Sequence, residues 1–245
     1  MSIHGRVQPL PFLVTTEMPC PYLPGQLERK VVTELTGVRA ADTYELLSRA
    51  GFRRSHSIAY RPACTGCSAC VPVRVVVSAF AWTRSHRRTA ARNGDLSVTL
   101  QPNRGTPEQY QLFTRYLESR HGDGEMVGMR FHEYRAMVED SPIETHLVEF
   151  RDPGGTLVAC CLADWAADGI SAVYSFFDPD QSRRSLGNYV VIRLIETAAQ
   201  HGLDYVYLGY WVSGSRKMAY KTRFRPIEGF GPGGWRLLEE PYSLR

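Results

Sequence analysis

Four of the six cysteines are spaced for chemistry. Cys64, Cys67 and Cys70 repeat as Cys-x-x-Cys-x-x-Cys, and Cys20 sits in the turn Pro19-Cys20-Pro21-Tyr22-Leu23-Pro24-Gly25. Such spacing aims neighbouring sulfurs at one ion in zinc sites and iron–sulfur clusters alike. The sequence predicts that Cys20, Cys64, Cys67 and Cys70 share a zinc ion or an iron–sulfur cluster, with redox-active thiols or inert thiols as the other readings. Cys160 and Cys161 lie mid-strand, where buried inert thiols are expected. A second group is cationic. Arg84, His86, Arg87, Arg88 and Arg92 give a helix over 82–93 a strongly basic face, suited to phosphate or simply to solvent. The third is a loop. Residues 170–178 read as a strand and 189–201 as a helix with an apolar stripe at Val190/Val191, Leu194/Ile195 and Ala198/Ala199. The Gly-containing loop between them puts backbone N–H groups at a helix N-terminus, where an anion or an ester oxygen can bind.

The elements that must hold these groups follow from pattern. The 245 residues suffice for one large domain or two modest ones, and the net charge of +4 permits a polyanionic partner without requiring one. No apolar run approaches the roughly 18 residues of a membrane span. The first residues, MSIHGRVQPLPFLVTTEMP, lack the basic head and long apolar body of a signal peptide, so a cytosolic protein is expected, in which cysteines rarely form a disulfide framework. Strand signals occur at 10–15, 26–35, 71–77 and 95–100, and a helix at 40–50 ends at Gly51. Thr106-Pro107-Glu108-Gln109 is a capping box opening a helix that runs to about residue 121. A second helix spans 131–139, and strands at 144–150, 156–164 and 170–178 are joined by short hairpin turns. The helix after the loop is followed by a strand at 205–211.

From Thr106 onward the order is helix, helix, strand, strand, strand, helix, strand. This order resembles the Gcn5-related acyltransferase fold, in which two strands splay apart and hold the acyl donor. The expected class is α+β, with a smaller Cys-containing N-terminal α+β domain at 1–104 and a Gcn5-related acyltransferase-like domain at 105–245. In acyltransferases of that fold, a loop of pattern Arg/Gln-x-x-Gly-x-Gly/Ala holds the coenzyme A pyrophosphate. Arg184-Ser185-Leu186-Gly187-Asn188-Tyr189 satisfies the first part only, and the bulk of Tyr189 is expected to obstruct a phosphate.

Six motifs in order carry a more specific resemblance: Cys20-Pro-Tyr-Leu-Pro-Gly, Gly51-Phe-Arg-Arg-Ser with Tyr60-Arg-Pro-x-Cys64, Tyr174-Ser-Phe-Phe-Asp-Pro, Ser185-Leu-Gly, Tyr207-Leu-Gly-Tyr-Trp and Lys217-Met-x-Tyr-Lys221. Over almost its whole length the chain resembles the aminoacyl-tRNA–protein transferases, most closely their bacterial leucyl-transferring branch; the eukaryotic arginyl-transferring enzymes are larger relatives and carry a second cysteine where Leu23 stands here. The resemblance implies transfer of leucine from leucyl-tRNA to the N-terminal amine of proteins beginning with Asp or Glu, marking them for degradation. The partners implied are leucyl-tRNA and such proteins, with no membrane and no cofactor needed for the chemistry.

An aminoacyl ester is already activated, and an α-amine with a pKa near 8 is substantially neutral at cellular pH, so positioning and oxyanion stabilisation can supply most of the acceleration. The oxyanion site is expected at Ser175 to Phe177. Asp164 and Asp178, at or near strand ends, are candidates to hold the acceptor ammonium; turn capping is the competing role for both. For the acceptor's carboxylate the candidates are Arg53, Arg54, Arg61, Lys217 and Lys221, with Arg61 favoured, while Tyr174 and Tyr220 join the substrate-binding set from the matched motifs. Arg84, Arg87, Arg88 and Arg92 are the candidate tRNA contacts. A non-catalytic RNA-binding module built on the cysteine site, and an acetyl-CoA-dependent N-acetyltransferase, are the alternatives.

Overall fold

A computed structural model describes residues 10–120 and 126–239. Short strands β1 (Leu13–Val14), β2 (Met18–Pro19) and β3 (Leu27–Glu28) precede β4 (Lys30–Glu34). Helix α1 (Ala40–Arg49) leads to the hairpin β5 (Arg53–Ser55) and β6 (Ile58–Pro62), then β7 (Cys70–Val76), α2 (Arg84–Arg92) and β8 (Ser97–Pro102). Helices α3 (Pro107–Arg120) and α4 (Phe131–Glu139) are followed by β9 (Thr145–Arg151), β10 (Leu157–Ala166) and β11 (Gly169–Phe177). A 3-10 turn over Pro179–Arg184 enters α5 (Leu186–Gln200), and β12 (Tyr205–Val212), β13 (Ile227–Gly231) and β14 (Gly234–Leu237) close the order.

The expected α+β class holds, and so does the helix, helix, strand, strand, strand, helix, strand order from α3 to β12. The capping box at Thr106 forms reciprocally: Gln109 N–H donates to the Thr106 hydroxyl at 3.3 Å and Thr106 N–H to the Gln109 side-chain oxygen at 2.9 Å. The main sheet runs β14-β13-β7-β12-β11-β10-β9-β8, with β1-β4-β6-β5 as a second sheet and β2-β3 as a pair. Strands β7 and β8 come from before residue 104, so the main sheet crosses the expected domain boundary rather than stopping at it.

Apolar side chains cover both faces of that sheet, which explains why β10 reads as an unbroken run, LVACCLA, instead of alternating. Cys161 and Ala163 face one core with Leu186, Val190 and Ile195 of α5, while Cys160 and Leu162 face the other with Phe113 and Tyr134 of α3 and α4. Both cysteines are fully buried, as expected of inert thiols. A third, smaller core gathers Leu35, Ala40, Tyr44, Leu47 and Ala59 under the second sheet.

One irregularity creates the site. β11 and β12 are the parallel pair of the main sheet and share only the rungs Gly169↔Tyr205, Ile170↔Val206 and Ser171↔Tyr207. β11 runs on to Phe177 and β12 to Val212 without further pairing between them, so the strands splay after Ser171.

Candidate functional site in the splayed strands

Beyond the point where the two strands part, beside the end of β11, a cleft of about 440 Å³ opens. β11 contributes Ser175 and Phe177, α3 contributes Tyr116 and Arg120, and the segment after β12 contributes Lys217 and Tyr220. The start of α5, Ser185 to Asn188, with Gln181 and Ser182 of the 3-10 turn before it, forms the remaining wall. Local sequence explains how α5 begins there. Ser185 takes a left-handed backbone (φ 56°) that turns the chain from the 3-10 segment into the helix. Gly187 lets the helix close on Phe177, because a Cβ there would lie 2.9 Å from the ring. Asn188 and Tyr189 N–H already donate to the Ser185 carbonyl, at 3.0 and 3.1 Å, so the backbone donors of this wall are those of Leu186 and Gly187, with the partial positive charge of a helix N-terminus.

The electrostatics favour a developing anion. Burial, with nearby Tyr116, pushes the Tyr220 phenol up to about 12, so it serves as a neutral hydrogen-bond donor. Burial likewise raises Tyr116 and Tyr174. Arg120 lies over the Phe177 ring at 5.5 Å, and Lys217 is the second cation of the lining. Among the described residues the lining includes no carboxylate and no imidazole. Such a site can orient an activated acyl group and stabilise its oxyanion, and it asks the nucleophile to arrive already neutral.

Of the residues singled out in the sequence, Ser175, Lys217 and Tyr220 meet in this cleft. Others are held elsewhere. Asp164 lies in the interior, where Arg54 donates to it twice, from Nη2 at 2.6 Å and Nε at 2.9 Å. Thr145 at 2.8 Å and the Tyr44 hydroxyl at 3.2 Å complete its acceptor capacity, leaving nothing for an ammonium. Asp178 caps the 3-10 turn through Asp180 N–H at 3.1 Å and pairs with Arg115 at 2.9 Å, the turn-capping role. Arg61 stacks on Phe52 at 5.3 Å and donates to the Ala50 carbonyl at 3.2 Å, so it braces the turn at Gly51 and does not line the cleft. Lys221 is buried, with Nζ 2.5 Å from the Tyr210 carbonyl. Tyr174 packs edge-on against Phe113 at 5.9 Å, on the α3 side of the strand. Arg53 reaches the backbone carbonyls of Ala172 and Val173.

Tyr189 corrects another expectation. Its side chain is only 3% exposed and meets Phe150 edge-on at 5.7 Å in the core. Because α5 starts at Leu186, position 189 turns inward, so its bulk obstructs nothing at the helix N-terminus.

The thiols share a neighbourhood: burial first, then Cys20, Cys64 and Cys67, push Cys70 up to about 12. They do not converge. Among the described residues no group of three or more His, Cys, Asp or Glu side chains is placed to hold a metal ion, so the expected four-cysteine site is not formed.

The basic helix is tied to the cleft. Arg84, Arg87, Arg88 and Arg92 are exposed on α2. From its C-terminal end Arg92 donates to the Arg183 carbonyl, and Asn93 donates to the Arg184 carbonyl at 2.9 Å. Both carbonyls belong to the turn that leads into α5. Sequence reasoning missed Tyr116 and Arg120, four residues apart on α3; their spacing shows a shared face, but only the fold shows that it ends against Phe177.

The chain is similar to known proteins over most of its length. The family model described as arginine-tRNA-protein transferase, C terminus, matches residues 108–231, and the corresponding N-terminus model matches residues 18–88. The chain is 58% identical over 225 residues to an aspartate/glutamate leucyltransferase of Paramagnetospirillum magneticum, covering 92% of each chain. It is 54% identical to the protein of that name from Methylorubrum extorquens, covering 98% of this chain and 100% of the relative. For the one from Granulibacter bethesdensis the figures are 52% identity, 94% and 86%. No helix among the described residues is long and apolar enough to cross a membrane.

Proposed function

Because the chain belongs to the arginine-tRNA-protein transferase family, we propose that the cleft beside Ser175 and Gly187 is where leucine passes from leucyl-tRNA to the N-terminal amine of a protein beginning with Asp or Glu. The chain is an aminoacyltransferase, and its activated donor is an ester carried on tRNA. The observation that carries the local reading is the composition of the cleft: neutral donors, two cations and a helix N-terminus, around a gap that β11 and β12 leave between them.

In the proposed reaction the aminoacyl end of the tRNA enters along the start of α5, and its ester carbonyl points at the backbone donors there. The free α-amine of the acceptor, with a pKa of about 8, attacks the carbonyl carbon. The carbonyl oxygen takes the negative charge, held by N–H groups of the α5 wall with the Ser175 hydroxyl and the Tyr220 phenol as further donors. Collapse forms the amide, breaks the ester and returns the amine's proton to the departing tRNA ribose oxygen. Lys217 and Arg120 hold the acceptor's side-chain carboxylate, the part first assigned to Arg61, because they line the cleft and Arg61 does not. The exposed arginines of α2 take tRNA phosphates, and Arg92 with Asn93 keeps that helix in register with the cleft mouth. Leucine added in this way marks the acceptor for degradation, in the compartment that holds charged tRNA.

The deciding experiment offers purified protein an Asp-starting and an Asn-starting peptide with radiolabelled leucyl-tRNA, arginyl-tRNA or acetyl-CoA. Label should pass only from leucyl-tRNA to the Asp peptide. Transfer from acetyl-CoA, or equal use of both peptides, sinks the reading.

A further inference from the structure

The splay between β11 and β12 has a physical cause in the first half of the chain. A parallel ladder that reached Ser171↔Tyr207 would continue at Ala172 and Val173 opposite Leu208 and Gly209. At that place stands the guanidinium of Arg53. Its Nη2 donates to the Ala172 carbonyl at 2.6 Å and to the Val173 carbonyl at 3.1 Å; Val173 is the extra residue of a bulge against β10, so two consecutive carbonyls share this one donor in place of a rung with β12. Gly209 makes the room: it has a left-handed φ of 75°, and a Cβ built on it would overlap the guanidinium. The ladder of β12 with β7 also shifts register between Tyr207 and Gly209, so β12 bends where Arg53 sits.

Neighbours on both sides of the gap fix the strand that carries this residue. Next to Arg53 on β5, Arg54 clasps Asp164 of β10 in the interior. On the β12 side the Tyr210 hydroxyl donates to the carbonyls of Gly51 at 3.2 Å and Tyr60 at 3.0 Å, gripping the β5–β6 hairpin. The hairpin therefore straddles the two diverging strands and drives one side chain between them. An unpaired buried carbonyl is costly, so without this donor β11 gains by closing on β12.

We propose that Arg53 is the positioning residue that holds the donor cleft open, by occupying the ladder rungs that β11 and β12 leave unformed. Arg53 touches no reacting atom. It sets the spacing between Ser175 on one lip and Lys217 and Tyr220 beyond the other, and so acts on the chemical step through geometry. The proposal rests on the reading of the cleft given above.

Its test is leucyl transfer by full-length Arg53→Ala with leucyl-tRNA and an Asp-starting peptide, beside filter binding of leucyl-tRNA to the same protein. A small misplacement of reacting groups costs about 100-fold, so kcat should fall by about that factor. Phosphate contacts lie elsewhere, so the Kd for leucyl-tRNA should stay within about threefold. Guanidinium ion at tens of millimolar should restore kcat about tenfold by refilling the gap with donors, whereas urea and sodium chloride should not. A kcat within about threefold of wild type, or a loss shared equally by tRNA binding and not rescued, overturns the proposal. If Arg53→Ala does not fold, Arg53→Lys decides: a lysine nitrogen can replace Nη2 at the two carbonyls but leaves empty the space beside Gly209 that the rest of the guanidinium fills, so kcat should be about tenfold down, and wild-type kcat overturns the wedge. Wild-type protein that transfers no leucine defeats the proposed function instead. The wedge is then judged by amide hydrogen exchange in Arg53→Ala, where residues 208–210 should become more protected as the strands close; unchanged or faster exchange there overturns it.

Discussion

Arg54 and Asp164, 110 residues apart, meet as a two-pronged ion pair with neither side chain exposed to solvent. The pair is the joint between the small β4–β6 sheet and the main sheet, since Arg54 lies on β5 and Asp164 on β10. With Thr145 and Tyr44 also donating, the carboxylate is saturated and structural. Removing one member of a buried pair strands the other charge, at a cost of about 3–5 kcal/mol. Asp164→Asn should lose stability on that scale in urea unfolding. The double change Arg54→Met with Asp164→Leu should lose less than the sum of the single changes. Full stability of Asp164→Asn together with lost transfer would return the residue to a catalytic role.

Lys221 gives a pH dependence with a definite sign. Burial, then the nearby charge of Arg53, pushes its ammonium down to about 7 from the ordinary 10.5. Between those values the unfolded chain holds a proton that the native chain does not, so stability rises with pH across the window. Below about 7 both states carry the proton and this contribution stops changing. Tm measured from neutral to alkaline pH should climb relative to that of Lys221→Met, which lacks the group. Parallel curves for the two proteins would show that Lys221 titrates normally.

For the basic helix, the observable is salt. Each phosphate contact adds about 0.7–0.9 to the slope of log K against log salt. Arg87→Ala with Arg88→Ala should flatten that slope by about 1.4–1.8 if both touch tRNA phosphate, while kcat at saturating leucyl-tRNA stays near wild type. An unchanged slope would leave α2 as a solvated face.

Tyr189→Ala is expected to disturb the core rather than the cleft. Deleting a buried aromatic ring of this kind typically costs about 3–5 kcal/mol. The variant should unfold at lower urea and gain no acetyl transfer from acetyl-CoA. A stable Tyr189→Ala that used acetyl-CoA would show that the ring does guard the helix N-terminus.

What could be read from the sequence was what local physics decides. The helix at 131–139, the capping box at Thr106 and the three consecutive strands depend on neighbours a few residues away, and they form as expected. The β5–β6 hairpin was missed because its strands, Arg53–Ser55 and Ile58–Pro62, are rich in arginine and polar residues and lack clear alternation. β13 and β14 were hidden by the glycines of Gly229–Gly234, which read as a loop. Site roles were less legible for the same reason of range. Arg53, Arg54 and Asp164 read as surface charge or strand-end carboxylate until partners 110 to 120 residues distant are in place. Tyr189 shows a subtler failure: the spacing of its loop was clear, but the phase of α5, fixed by where the helix starts, decides which way the ring points.

β7 stands between β12 and β13 in the main sheet, and this has a consequence for synthesis. Its neighbours leave the ribosome about 130 and about 150 residues later, roughly 6–30 s at typical elongation rates. During that wait an apolar strand, Cys70–Val76, has both edges free and invites pairing with another nascent chain. Pro72 lies within it, opposite Tyr210 in the finished sheet, and offers no N–H to a stray partner. The residue that weakens this strand by one rung in the native protein thus guards it while the chain is still being made.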